Sequence, residues 1–182
     1  MDNAEMNADS PNVVTDRLIA LGKVIEWSAS MEQILRDAFC SLVGSKFAAI
    51  VVGGQSASWL IEQCKALTDA HQEMPPEQRE AIKAALQRCA AANDLRNHLV
   101  HGVKTASRIP DGALQTLRSR NRTYARAVLS WTPASIGQAA GELLNAGLAL
   151  FGAVQNAVTP EMMVIGDALG WENRRREQAA GP

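Results

Sequence analysis

The stretch Asn93-Asp94-Leu95-Arg96-Asn97-His98-Leu99-Val100-His101-Gly102 places an arginine, two histidines, two asparagines and an aspartate within ten positions. Nowhere else in the chain is chemistry so concentrated. A guanidinium stays charged at all relevant pH and can grip an oxyanion with two parallel hydrogen bonds. Imidazole titrates near neutrality and can move a proton. Side by side, the two groups suit proton transfer next to a developing negative charge, and an asparagine between them can orient the imidazole.

The element that must hold these groups is a helix. Residues four apart stack on one helical face, so Asn97 and His101 are expected as neighbours, with Arg96 roughly 100° round from Asn97. Counted back along the same helix, Ile82, Ala85, Leu86, Cys89, Val100 and Val103 fall on one apolar stripe by 3.6 periodicity. Asn93 and Arg96 project into that stripe, where polar groups are costly unless paired. They therefore read as a structural network or as a site. In the structural reading, Arg96 pairs with a carboxylate such as Glu32 or Asp37, while Asn93, Asn97 and His101 satisfy buried groups. His98 points nearly the opposite way from the cluster and ranks below His101.

Arg96, followed directly by Asn97 and five positions later by His101, resembles the signature of the HEPN superfamily (higher eukaryotes and prokaryotes nucleotide-binding). That motif is an arginine followed four to six residues later by a histidine, with Asn, Asp or His favoured directly after the arginine. Gly102 then stops the helix. The resemblance covers about residues 16–158 in helix order, but only the motif positions are specific. It implies a metal-independent endoribonuclease, built as a homodimer in which both protomers contribute to one cleft. RNA cleavage without a metal needs a group to move the 2′-hydroxyl proton, a cation beside the phosphorane and a donor for the leaving oxygen. His101 and Arg96 suit the first two tasks, Asn97 could orient His101 or the substrate, and a second copy would supply the third. A toxin–antitoxin or antiviral defence setting, with an antitoxin or regulatory protein as partner, rests on the resemblance alone.

Composition bounds the remaining possibilities. The chain has 182 residues, of which 47% are hydrophobic and only 4% aromatic, so one domain with a core of Ala, Leu, Val and Ile is expected. High alanine content with modest Gly and Pro favours closely packed helices. A formal net charge of −1 argues against a globally basic nucleic-acid binder and leaves room for a local patch. Lys104, Arg118, Arg120, Arg122 and Arg126 form such a cluster after the motif, able to hold RNA phosphates or simply to solvate a hairpin edge. Tyr124 and Trp131 could stack on bases, although packing suits the tryptophan better. Cys40, Cys64 and Cys89 are widely spaced in apolar helical settings and read as free thiols of a cytoplasmic protein. The polar, acidic start of the chain does not resemble a signal peptide, and the run Leu143–Val154 is too short to span a bilayer, so no membrane association is expected. Gly53-Gly54 lacks the lysine of a phosphate-binding loop, and the histidines lack partners at zinc-ligand spacing, so neither cofactor nor metal is expected.

Taken in order, 1–14 reads as a disordered leader, 15–171 as a single helical domain and 172–182 as a frayed tail. Thr15 caps a first helix over about 16–43 with Leu18, Leu21, Ile25, Ala29, Ile34, Leu35 and Ala38 inward, and Gly44 ends it. The short apolar piece 46–52 reads as helical. A helix over about 55–71 turns Trp59, Leu60, Cys64 and Leu67 inward, and the motif helix follows over 76–101. Alternation over 113–119 and 123–131 predicts a β-hairpin, followed by helices over about 133–158 and 160–169. The fold class is thus mainly α: a HEPN-like bundle of four to five helices with a small hairpin inserted after the motif helix. Besides the ribonuclease, two further functions fit: a non-catalytic helical dimerisation, RNA-binding or partner-interaction module, and a small-ligand regulator using a pocket between the first and third long helices.

Overall fold

The computed structural model describes residues 11–101, 103–105, 114–119 and 126–157, with only the backbone for 103–129. Most of these residues are helical: α1 (Pro11–Val43), α2 (Ala48–Val51), α3 (Ala57–Ala70), α4 (Pro76–His101) and α5 (Pro133–Ala157). Three short strands, β1 (Val103–Thr105), β2 (Leu114–Ser119) and β3 (Arg126–Trp131), lie between α4 and α5. The chain is mainly α, a helical bundle, as composition and periodicity predict.

Helix ends follow local chemistry. α1 is already helical at Pro11, the first described residue, five residues before the expected Asp16. It ends where Gly44 takes a φ of 63°, and Gly54, at 75°, turns the chain after α2. Ser56 caps α3 by accepting from the Trp59 N–H. Thr132 and Ser135 form a reciprocal box at the start of α5. Thr132 Oγ1 accepts from the Ser135 N–H at 3.1 Å, and Ser135 Oγ accepts from the Thr132 N–H at 2.8 Å.

The residues cluster into two compact units, one formed by Met1–Ala29 with Ala92–Leu144, the other by Ser30–Ala91 with Asn145–Pro182. In the second unit, parts of four helices close a ring of contacts. The Cys64 thiol of α3 donates to the Leu35 carbonyl of α1 at 3.8 Å, and Phe39 and Trp59 stack tilted with centroids 5.7 Å apart. Lys83 of α4 pairs with Asp69 of α3. The Cys89 thiol of α4 donates to the Ala146 carbonyl of α5 at 3.5 Å, while Gly147 of α5 lets Ile34 and Met31 of α1 approach closely. Leu35, Leu60, Ile61, Ile82, Leu86 and Leu150 are among the side chains that fill the middle. Truncating Leu35 or Leu60 to alanine would cost about 2–5 kcal/mol.

The first unit holds Ala20, Val24 and Ser28 of α1, Ala92, Asn93 and Leu99 of α4, Trp131, and Ile136, Ala139, Ala140 and Leu143 of α5 as its buried residues. It also contains the three strands, an antiparallel sheet in the order β1-β2-β3. The register pairs Leu117 with Val103 on one side and with Val128 on the other. β2 and β3 occupy the two segments whose alternation predicted a hairpin. β1 was not expected: it takes Val103, which the periodicity had assigned to the helix, because α4 ends at His101.

Three expected inner faces are corrected. On α1 the buried positions are Ala20, Val24, Ser28, Met31, Leu35, Ala38, Phe39 and Leu42, whereas Leu18 and Ile25 are 63% and 62% exposed and Ala29 also faces solvent. On α3, Leu60, Ile61, Cys64 and Thr68 are buried, with the Thr68 hydroxyl satisfied by the Cys64 carbonyl, while Trp59 and Leu67 are half-buried. On α4 the buried seam carries Ile82, Ala85, Leu86, Cys89, Ala92, Asn93 and Leu99, many of them seven apart. Val100 was expected on it and lies 39% exposed, although Leu86 and Asn93, fourteen and seven positions earlier, are buried. The segments expected as a helix over 160–169 and a tail over 172–182 lie outside the described residues.

Candidate functional site

Arg96, Asn97 and His101 come from the last two turns of α4. The seven-residue seam explains the unusual position of Arg96: it is the next step after Ile82 and Cys89, where the core pattern calls for an apolar side chain. The residue is half-buried and leaves the core by extension. Its Nη1 donates to Asn97 Oδ1 at 3.0 Å and lies 3.2 Å from His101 Nε2. Nearer the backbone, its Nε is buried and has no hydrogen-bond partner among the described residues. Asn97 is half-buried and His101 exposed. A guanidinium, an amide and an imidazole therefore meet at an accessible helix end.

The contacts refine the expected roles. An arginine has only donors, so the contact with His101 is a hydrogen bond when Nε2 carries the ring's lone pair and Nδ1 its proton. Asn97 was expected to orient His101 or the substrate, but its amide oxygen instead anchors Arg96. The carboxylates considered as structural partners of Arg96 are engaged within α1: Glu32 pairs with Arg36 at 3.5 Å, and Asp37 accepts from Gln33 at 2.9 Å. Asn93, one turn before Arg96, is buried as its position on the stripe suggested.

The described members of the basic cluster are spread over the three strands. Lys104 sits in β1 opposite Thr116, Arg118 in β2 opposite Ala127, and Arg126 in β3 opposite Ser119. By register, Lys104 and Arg118 occupy positions of one face of the sheet and Arg126 a position of the other. Arg120, Arg122 and Tyr124 lie outside the described residues. Trp131 is only 6% exposed, which removes it as a stacking platform. Among the described residues no group of three or more His, Cys, Asp or Glu side chains could hold a metal ion, and no helix is long and apolar enough to cross a membrane.

One polar cluster escaped sequence reasoning. His71, the C-cap of α3, offers Nε2 to the Leu42 carbonyl in the last turn of α1 at 2.6 Å and Nδ1 to the Glu73 carboxylate. Both partners are acceptors, so the ring satisfies both only as an imidazolium. Glu73 accordingly raises the His71 pKa above its ordinary value, and a positive charge at the end of α1 favours its dipole. The contact spans 29 residues, which no local pattern reveals.

The fold is that of a helical bundle with a small sheet, and the site is an arginine–asparagine–histidine cluster on a helix end. Comparison of the chain with protein-family models, with curated proteins and with solved structures finds no significant match.

Proposed function

We propose that this chain is a HEPN-type, metal-independent endoribonuclease that acts in the cytoplasm as a homodimer, with RNA as substrate and an antitoxin or regulatory protein as its restraint. The single observation that carries the reading is the cluster at the end of α4, where Arg96 Nη1 reaches both Asn97 Oδ1 and His101 Nε2 at an exposed position. His101 takes the proton of a ribose 2′-hydroxyl, and the oxygen attacks the adjacent phosphorus. Arg96 offsets the charge that builds on the phosphoryl oxygens. The 5′ oxygen leaves with a proton from a second imidazole, giving a cyclic phosphate and a 5′-hydroxyl. His101 of a second copy is the donor in this scheme, because one imidazole cannot accept and donate in the same step.

Purified protein is incubated with RNA in the presence of chelator, beside Arg96→Ala and His101→Ala variants. The reading expects cleavage by the wild type and its loss in both variants, with circular dichroism unchanged. Cleavage that survives both substitutions would overturn the site.

A second reading, a non-catalytic interaction module, is favoured by the outward face of α1. Leu18, Ile19 and Ile25 are exposed there, the kind of apolar patch that marks a docking surface. It expects no cleavage of any RNA, and loss of self-association or partner binding on Ile25→Lys.

A further inference from the structure

We infer that Arg96 caps the His101 base, and that an oxyanion arriving at the guanidinium lifts the cap. Rested as it is, the imidazole cannot work: while Nη1 donates to Nε2 at 3.2 Å, the lone pair that must receive a hydroxyl proton is occupied. Asn97 holds the cap in place by accepting from the same nitrogen at 3.0 Å, so it acts as a positioning residue. The buried Nε without a partner among the described residues makes the capped geometry a costly one. A phosphate oxygen offers the guanidinium a charge-assisted, two-pronged partner that an amide oxygen and a neutral ring nitrogen cannot match. When the guanidinium turns to the anion, Nε2 is released beside it. The substrate's own phosphate thus switches on the base that attacks next to it. This deepens the ribonuclease reading and rests on its premise that the cluster meets a phosphodiester.

The test observes the ring and uses no RNA. Full-length protein labelled with ¹⁵N-histidine is followed by NMR in anion-poor buffer and titrated with inorganic phosphate, with His71→Gln and His98→Gln used to assign the signals. In the wild type, His101 carries its proton on Nδ1 and its Nε2 signal is that of a lone pair accepting a hydrogen bond; as phosphate is added, that signal moves, saturably, to the position of an unbonded ring nitrogen. Arg96→Met, which cannot donate, shows the unbonded Nε2 from the start and does not respond. Asn97→Ala, which keeps the arginine, lowers the phosphate needed by about fivefold, equivalent to one hydrogen bond of about 1 kcal/mol. An unbonded or protonated Nε2 in the anion-free wild type, or an Nε2 signal that phosphate leaves unchanged, overturns the inference. Cleavage without the Nε2 change sinks the cap alone, and the Nε2 change without cleavage sinks the ribonuclease alone.

Discussion

Replacing Arg96 by methionine separates a site from a scaffold. The two bonds from Nη1 are made at a half-exposed position and contribute about 0.5–1.5 kcal/mol each. Against them stands the buried Nε without a partner among the described residues, which costs about 1–3 kcal/mol. Methionine removes both terms and places a flexible apolar chain on the seam of Ile82 and Cys89. The net change is therefore centred near zero and at most about 2 kcal/mol either way, or several degrees in Tm for a chain of this size. Urea melts of Arg96→Met beside the RNA cleavage assay provide the measurement: unchanged stability with lost cleavage is expected. A loss above about 3 kcal/mol is the signature of breaking a buried network. It would show that the arginine holds the protein together, and the argument from the misfit of a guanidinium on an apolar seam would fail.

Three other outcomes follow from the same structure. The His71 pKa is raised mainly by Glu73, so the stabilisation His71 contributes is fully present below the ordinary imidazole value and is lost as pH rises through the raised one. Glu73, whose own pKa is lowered by His71, loses its share only as pH falls through that lowered value. The stability gap between wild type and His71→Gln should therefore be widest at mildly acidic pH and close above neutrality; a gap that widens with pH contradicts the pairing of a charged His71 with Glu73 and the Leu42 carbonyl. Burial pushes the Cys64 thiol up to about 12 and that of Cys89 to about 11, so at pH 8 a thiol-reactive dye should label native protein at Cys40 and reach the other two only in denaturant. Gly141→Ala should stabilise α5 by about 0.5–1 kcal/mol, since the added methyl meets nothing within 4 Å, whereas at Gly147 it would lie 3.0 Å from the tip of Ile34 and lose part of that gain.

How far the sequence could be read depended on whether its signals were local. The start of α4 was legible because proline acts within one turn, and the cluster was legible because its three residues lie within six positions of one helix. What separates them in space is a matter of side-chain reach: Arg96 and His101 start well round the helix from each other, and only the length of the arginine closes the gap. The face of α1 was not legible, because its N-terminal half is apolar on two sides. Periodicity favoured bulky Leu18 and Ile25, yet the structure buries Ala20, Val24 and Ser28, whose small side chains let a neighbouring element approach more closely. The sequence signal failed where two apolar faces competed, and the losing face is the exposed stripe on which the interaction-module reading depends. A helix that leaves its larger aliphatic residues in water forgoes burial worth about 1.5–3 kcal/mol for each of them. That cost is recovered only if another surface covers the stripe. Ile25→Lys is the sharpest probe of the face, since it should leave the monomer's stability nearly unchanged and act only on what docks there.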